Sequence, residues 1–357
     1  MDKIEKFIGL CFRVGACNLK CSYCYVGQHG NKVLDIPFSL EQMRVAFARK
    51  RLGGTCIINI CSDGETLIHP MMPSIIKFFL DEGHYVMVLT NGLLRNRIEE
   101  CLNNCRNLER LFFKISFHYE ELVRLNLLNS MFDNINLIKN SPCSFTVEYI
   151  TCDETLEEMN EFKRICIERL GALPQLNIPR DEKQKKLGVV SKYTWKKYIE
   201  TWEKQGFNSE FFAFRKQFFN KKYKDFCYTG ERQLWIDMAT GYSRQCYHTP
   251  VLQDFMGEAN KPIKWLAVGN NCNESHCYVA HSHMTLGIVP FPEYTKYKPT
   301  YDVIRNRVCL DGTEWIKPTY KRAFRQGVRQ VEFSNLRKKI INLKNVLLRW
   351  KRRKESE

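Results

Sequence analysis

Between residues 6 and 178 the chain repeats one theme, a short β-branched or aromatic run followed by a stretch with apolar residues at helical spacing. Six such runs read as strands, at 7–14, 55–61, 85–90, 111–117, 144–150 and 173–178. Intervening segments such as 39–51 and 154–169 read as helices, with Ser39 and Asp153 placed to cap them. Alternating strands and helices imply a parallel sheet, because parallel neighbours need a crossover long enough to be a helix. Six units make either an open doubly wound sheet or an incomplete barrel. In both, reactive groups gather where strands end and loops begin. Three cysteines, at 17, 21 and 24, follow the first run. Asp63-Gly64-Glu65 follows the second, Thr90-Asn91-Gly92 the third, and Ser116 and His118 close the fourth. Glu148 on the fifth run and Arg180 after the sixth face the same mouth if side chains alternate along each strand.

The 357 residues suit one large domain with a smaller appendage. No apolar run reaches the ~18 residues of a membrane span. The start, MDKIEKFIGLCFRV, carries two acids and runs straight into the first strand, unlike a signal peptide, so a cytoplasmic location is expected. With the first strand this near the start, an N-terminal domain that recognises a leader peptide is not expected, which does not exclude a peptide substrate. Sixteen cysteines in a reducing compartment read as thiols and metal ligands, not as a disulfide framework. Residues 321–357 carry 13 Lys/Arg against 3 Asp/Glu, and 181–225 carry 12 against 6, which together account for the net charge of +16. Such charge attracts phosphates, acidic lipids or acidic polymers. With no groove-reading or base-stacking motif beside it, a nucleic-acid partner is not expected.

The triplet Cys17-x3-Cys21-x2-Cys24 supplies three thiolates with no fourth close behind. Three ligands on a 4Fe-4S cluster leave one iron open, whereas four close it. Zinc sites more often show paired Cys-x2-Cys units. The segment ACNLKCSYCY at 16–25 resembles the defining motif of the radical S-adenosylmethionine superfamily, and the resemblance spans the first 180 residues. It implies a partial six-stranded parallel barrel whose open iron binds S-adenosylmethionine. In that family an electron from the cluster cleaves the cofactor to a 5′-deoxyadenosyl radical, which abstracts hydrogen from substrate. The resemblance also assigns roles. Tyr23 would lie near the adenine. Gly64 and Glu65, in a variant of a Gly-Gly-Glu signature that has Asp63 first, would hold the methionine amino group, since a carboxylate suits an ammonium. Ser116 would contact the cofactor; Asn91, which by its position after the third strand faces the same mouth, is a further candidate cofactor contact. His118 stands where relatives often carry an acid facing substrate, and His118, Glu148 and Arg180 are the candidate catalytic residues.

Beyond residue 180 the rhythm stops, and 183–224 reads as a basic helical connector rich in aromatics, among them Trp195, Trp202, Phe211 and Phe218. Residues 233–246 read as a β-hairpin turning at 239–241. With Cys227, Cys246, Cys272 and Cys277, this region resembles the shortened auxiliary-cluster module of the SPASM and twitch branch, which implies one further 4Fe-4S cluster. Four thiolates would equally hold a structural zinc ion.

From 333 onward Leu336, Ile340, Leu343, Leu347 and Trp350 form an apolar stripe among Lys and Arg. This predicts an amphipathic helix, packed on the body or set against an acidic membrane or a partner. The expected organisation is a radical S-adenosylmethionine core at 1–180, the connector at 181–225, an auxiliary-cluster domain at 226–300 and a basic tail at 301–357. The fold class is α/β, a partial (β/α)6 TIM-like barrel with that small iron-sulfur domain and the C-terminal helix. The expected activity is radical oxidation of a peptide, protein or sugar-like substrate, with an electron donor such as flavodoxin or ferredoxin. Radical epimerisation or carbon–carbon or thioether cross-linking shares the opening step. A non-catalytic iron-sulfur scaffold is the reading from another class.

Overall fold

A computed structural model describes residues 3–24, 26, 32–181 and 187–356, and the side chains of 351–356 are not considered. Part of the expected connector, 182–186, and Tyr25 at the end of the cysteine motif lie outside the described residues. The strands are β1 (Lys6–Phe12), β2 (Cys56–Ser62), β3 (Tyr85–Thr90), β4 (Leu111–Phe117), β5 (Ser144–Ile150), β6 (Gln175–Asn177), β7 (Arg180–Asp181), β8 (Gly188–Val189), β9 (Gln233–Asp237), β10 (Tyr242–Arg244) and β11 (Val251–Asp254).

Nine of them form one sheet in the order β11-β10-β9-β1-β2-β3-β4-β5-β6, and β7 and β8 pair separately. From β1 to β6 every neighbouring pair is parallel and the order is that of the chain. A doubly wound sheet adds strands to both sides of its first strand. Here β1 to β6 accumulate in one direction only, the winding of a (β/α)6 partial barrel. Among the described residues β6 does not pair with β1, so the sheet is open. On the other side of β1, β9 adds a parallel strand, and the expected hairpin follows as β9 and β10, with Gly241 at a φ of 79° in its turn. The segment after residue 226 therefore extends the main sheet.

Local signals set the helices. Ser39 caps the helix Leu40–Ala46 through a reciprocal pair of bonds with Gln42, satisfying two amide groups that the first turn leaves orphaned. Asp153 does not act as expected. It precedes a 3-10 turn, and its carboxylate turns away to accept from the Ser191 hydroxyl and the Lys192 amide. In the connector, helices Trp195–Lys204 and Glu210–Phe218 bury Trp202, Phe211 and Phe218 and so belong to the core.

The two faces of the sheet differ in chemistry. Residues facing the crossover helices, among them Ile8, Leu10, Ile58, Ile60, Val88, Phe113, Ile115, Val147 and Tyr149, are buried in one apolar core with Phe79, Phe132 and Phe162. Register puts Gly9, Asn59 and Met87 on the opposite, inner face, with Phe112, Lys114 and Ser116 of β4 and Ser144, Thr146 and Glu148 of β5. The lower half of that face is apolar: Phe7, Ile57, Tyr85, Met87 and Phe112 pack on Phe211, Tyr301, Tyr320 and Phe324 from the C-terminal half. Its upper half, toward the carboxyl ends of the strands, is polar. Gly9 serves this face by absence, since a Cβ there would lie 2.4 Å from the Trp235 ring across β9.

Candidate active site

Because β1 to β4 are parallel, the loops that leave them meet at one edge, and the cysteine loop is pinned to all three of its neighbours. After β2, Asp63 Oδ1 accepts from the Gly15 amide at 3.0 Å, and the Glu65 amide donates to Ala16 O at 2.9 Å. The approach is so close that a Cβ on Gly64 would sit 2.0 Å from Ala16 O, so this position requires glycine. After β3, Asn91 Nδ2 donates to Asn18 Oδ1 at 2.6 Å. After β4, Glu121 accepts from the Lys20 amide at 2.8 Å, and the Tyr23 hydroxyl meets His118 Nδ1 at 3.1 Å, with the two rings stacked at 5.8 Å.

Glu65 is buried beneath this loop. Its Oε1 accepts from the Leu67 amide and the Thr90 hydroxyl, at 3.0 and 2.6 Å, and its Oε2 accepts from the Asn91 amide at 2.7 Å. Burial raises its pKa, and these three donors oppose the rise. A carboxylate offers about four acceptor sites, so Oε2 keeps room for one further donor. Burial also raises the Cys17 thiol and takes the Cys21 thiol to about 12, with Glu121 and the neighbouring cysteines adding to the latter. His118 is held neutral, its pKa pushed down to about 4 by burial. Tyr23, Gly64, Glu65, Asn91 and His118 thus surround the cysteine loop. Ser116 lies one step inward on β4, in register with Glu148.

Glu148 belongs to the inner face below. It pairs with Arg305 and accepts from Asn177 Nδ2 at 3.1 Å. Arg180 lies farther round, 5.6 Å from the Tyr278 ring, beside a second cysteine group. There Cys227, Cys246, Cys272 and Cys277 line one cavity of about 40 Å3 together with His276 and His283. Cys227 is held by a backbone bridge to Gly269, and Cys246 by the Thr249 hydroxyl on its amide. Burial pushes the Cys227 thiol to about 11 and raises the other three, with mutual repulsion contributing to Cys246 and Cys277. Among the described residues no three His, Cys, Asp or Glu side chains are drawn together as metal ligands. Thiols with raised pKa values stay protonated, and a metal must displace those protons to bind.

Sequence reasoning missed several members of this rim and of the face below it. Asn18 and Glu121 carried no motif. Lys114 stands two residues before Ser116, where alternation along β4 places it on the same face. Arg215 and Arg305 reach that face from helices outside the repeating units and left no signal in the chain.

No family model matches the sequence, and no curated protein matches it. Solved structures give remote likenesses. A crystal structure of Streptococcus suis SuiB bound to S-adenosylmethionine is 11% identical, with 70% of this chain and 64% of that one covered and a TM-score of 0.49. Native anSMEcpe with bound AdoMet and the Cp18Cys peptide is 16% identical, with 90% and 96% covered and a TM-score of 0.44. TYW1 with a lysine-pyruvate adduct bound is 14% identical, with 57% and 72% covered and a TM-score of 0.36. This chain thus spans less than two thirds of the SuiB chain.

Proposed function

We propose that this protein is a radical S-adenosylmethionine enzyme whose active site is the rim formed by the loops after β1 to β4. One observation carries the reading: the loop bearing Cys17, Cys21 and Cys24 is anchored to the ends of β2, β3 and β4 through Asp63, Asn91, Glu121 and His118, with Glu65 buried beneath it. The donor set suits a three-thiolate cluster by its chemistry, three cysteines on one short anchored loop above a buried carboxylate, with sulfurs that binding of the cluster would draw together. When bound and reduced, that cluster supplies the electron that cleaves S-adenosylmethionine to a carbon radical. The chain's own residues bind and orient. Glu65 Oε2 and the backbone at Gly64 receive the methionine ammonium, Asn91 and Ser116 line the cofactor's path, and Tyr23 offers its ring to the adenine. His118, neutral and joined to Tyr23, fixes that ring.

The second cysteine group supports one auxiliary 4Fe-4S cluster on Cys227, Cys246, Cys272 and Cys277, since all four thiols line one cavity and neighbouring cysteines help raise the Cys227, Cys246 and Cys277 thiols. A second cluster favours net oxidation of a peptide, protein or sugar-like substrate, with flavodoxin or ferredoxin as donor. We divide the chain into a radical core at 1–180, a connector at 181–225 whose helices pack into it, an auxiliary region at 226–300 and a tail at 301–357. The test is anaerobic reconstitution, reduction, and measurement of 5′-deoxyadenosine and methionine. Both products are expected. A reconstituted protein that binds iron and releases neither would leave the scaffold reading.

The tail supports a membrane-surface role. Helix Asn335–Ser356 docks through Ile341 and Asn345, whose amide donates to Ala267 O at 2.9 Å and accepts from Gln245. Its apolar stripe faces outward instead, with Leu336 70%, Leu343 61% and Trp350 55% exposed. The helix carries nine Lys/Arg and one Glu. A second copy would bring like charge against it, whereas an anionic bilayer offers both apolar depth and opposite charge. Among the described residues no helix is long and apolar enough to cross a membrane. The reading we favour is a cytoplasmic protein attached peripherally through this helix. Vesicles with anionic lipid should sediment it, Leu343→Glu should weaken that binding, and equal sedimentation by neutral vesicles would refute the charge argument.

A further inference from the structure

We infer that the polar inner face of the sheet, below Ser116, binds an anionic group of the substrate, a carboxylate or a phosphate, through Lys114, Arg215 and Arg305. The inference rests on the radical-enzyme reading only in calling that ligand the substrate.

Charge balance carries the argument. Lys114 is 8% exposed and Arg305 1% exposed, so both heads are withdrawn from water. The hydrogen bond of Lys114 goes to a neutral acceptor, Asn59 Oδ1, at 2.7 Å. Arg215 reaches a carbonyl, Ile178 O, at 3.5 Å. Arg305 ion-pairs with Glu148 and lies 3.9 Å over the Phe211 ring, while its Nε has no partner among the described residues. Glu148 is the carboxylate that acts on Lys114 and Arg215 as well, and its other oxygen is already taken by Asn177.

Three cations therefore share one acid in a place largely closed to solvent, and Arg180 adds its field from the side of the cysteine cavity. Buried charge without a counter-charge is costly, and proteins keep it where a ligand completes the pairing. The neighbouring titratable groups do not supply the negative charge that the two guanidinium groups lack. His281, set edge-on against Phe211, is kept neutral by burial and by these cations. Tyr301 stays protonated through burial, with its pKa at about 12, while the Cys61 thiol is lowered by its bond with Cys11 and by Lys114, so it offsets part of the Lys114 charge and none of the charge on Arg215 or Arg305. Burial together with the neighbouring cations lowers Lys114 to about 8 and Arg215 to about 9, the response of ammonium and guanidinium groups short of counter-charge.

The position suits a substrate. Lys114 and Ser116 lie on the same face of β4, and Ser116 is in register with Glu148, so an anion held by Lys114 and Arg215 would leave the rest of its molecule pointing toward the cysteine loop. Guanidinium groups match carboxylate and phosphate oxygens in planar pairs, and the ammonium adds a point charge.

The test is thermal unfolding of the full-length, anaerobically reconstituted protein in rising sodium phosphate, and separately sodium acetate, against sodium chloride at equal ionic strength. Four proteins are compared: wild type, Lys114→Met, Arg215→Met, and a surface control, Lys338→Met with Lys344→Met. A saturable rise in Tm is expected for the wild type and the surface control. The anion that saturates at lower concentration tells phosphate from carboxylate. Either Met variant should weaken that response at least ~10-fold, as expected for loss of a buried charge partner. In chloride alone each should melt at or above the wild-type temperature, because an unbalanced charge has gone. No saturation beyond the chloride effect, an unchanged response in the Met variant that folds, or a loss confined to the surface control would each overturn the proposal. A protein that cleaves S-adenosylmethionine yet ignores both anions would refute this inference alone. One that binds an anion yet releases no 5′-deoxyadenosine would refute the radical reading alone.

Discussion

The two cysteine groups are built in opposite ways. The first sits on one loop of eight residues, from Cys17 to Cys24, and relies on other strands only to hold that loop still. The second is assembled from three segments, with Cys227 and Cys246 on two of them and Cys272 and Cys277 on the third, and lines a shared cavity. A loop site keeps its ligands near one another even when the fold loosens, and it leaves one side open to a cofactor. An assembled site exists only when the fold exists, so its metal would bind the segments to one another. The first design suits chemistry with an exchanging ligand and the second suits a permanent cluster.

The largest expected effect tests the open side. Replacing Cys17, Cys21 or Cys24 with Ala should abolish formation of 5′-deoxyadenosine while leaving Tm within a few degrees, because the loop's anchors are backbone and side-chain groups other than the thiols. Iron should fall toward the ~4 atoms of a single remaining cluster. Retained cleavage in any one variant would end the assignment of these thiols.

Cys277→Ala should show the converse pattern. Iron again falls by about four atoms per chain if an auxiliary cluster is bound there. Here Tm should also drop by several degrees, since the site holds separate segments, and cleavage of the cofactor should persist in part. If zinc is recovered from the wild type and iron content is unchanged by the substitution, the second group is a structural zinc site.

Glu65→Ala probes how far the rim depends on its buried carboxylate. Removing it leaves the Leu67 and Asn91 amides and the Thr90 hydroxyl without their acceptor, at a cost of about 2 to 3 kcal/mol in urea unfolding. S-adenosylmethionine binding should weaken while iron stays. Loss of iron in a variant that remains folded would show that Glu65 acts on the cluster loop and not on the cofactor.

The strands were legible because buried parallel strands are short, β-branched and well separated, and observed β3, β4 and β5 coincide with the runs read at 85–90, 111–117 and 144–150. The choice between doubly wound sheet and partial barrel was not legible, because it depends on which side each strand is added, and pairing order leaves no trace in local pattern. Motif residues of the rim were readable from spacing. Lys114 was readable only through alternation, and Arg215 and Arg305 were not readable at all, because distant helices bring them to the inner face. The tail shows a subtler gap. Periodicity found the stripe from Leu336 to Trp350, but docking is set by Ile341 and Asn345 on another side of the helix, where an asparagine exchanges bonds with Gln245 and Ala267.

The smallest effect would refine the comparison most, because it loosens the loop site without touching the assembled one. Asp63 stands where the resemblance has glycine, and its carboxylate accepts the Gly15 amide at the start of the cysteine loop, where Gly15 has a φ of 67°. Asp63→Gly should cost about 1 kcal/mol, the net worth of one hydrogen bond, and should speed removal of iron from the triplet by a chelator. Asp63→Asn keeps an oxygen at the same atom and should behave as wild type in both measurements. Iron at Cys227, Cys246, Cys272 and Cys277 should leave at an unchanged rate in all three proteins. If Asp63→Gly instead releases iron no faster than wild type, the side-chain anchors of the loop are Asn91, Glu121 and His118, and its anchor at β2 is the backbone bond from Glu65 to Ala16.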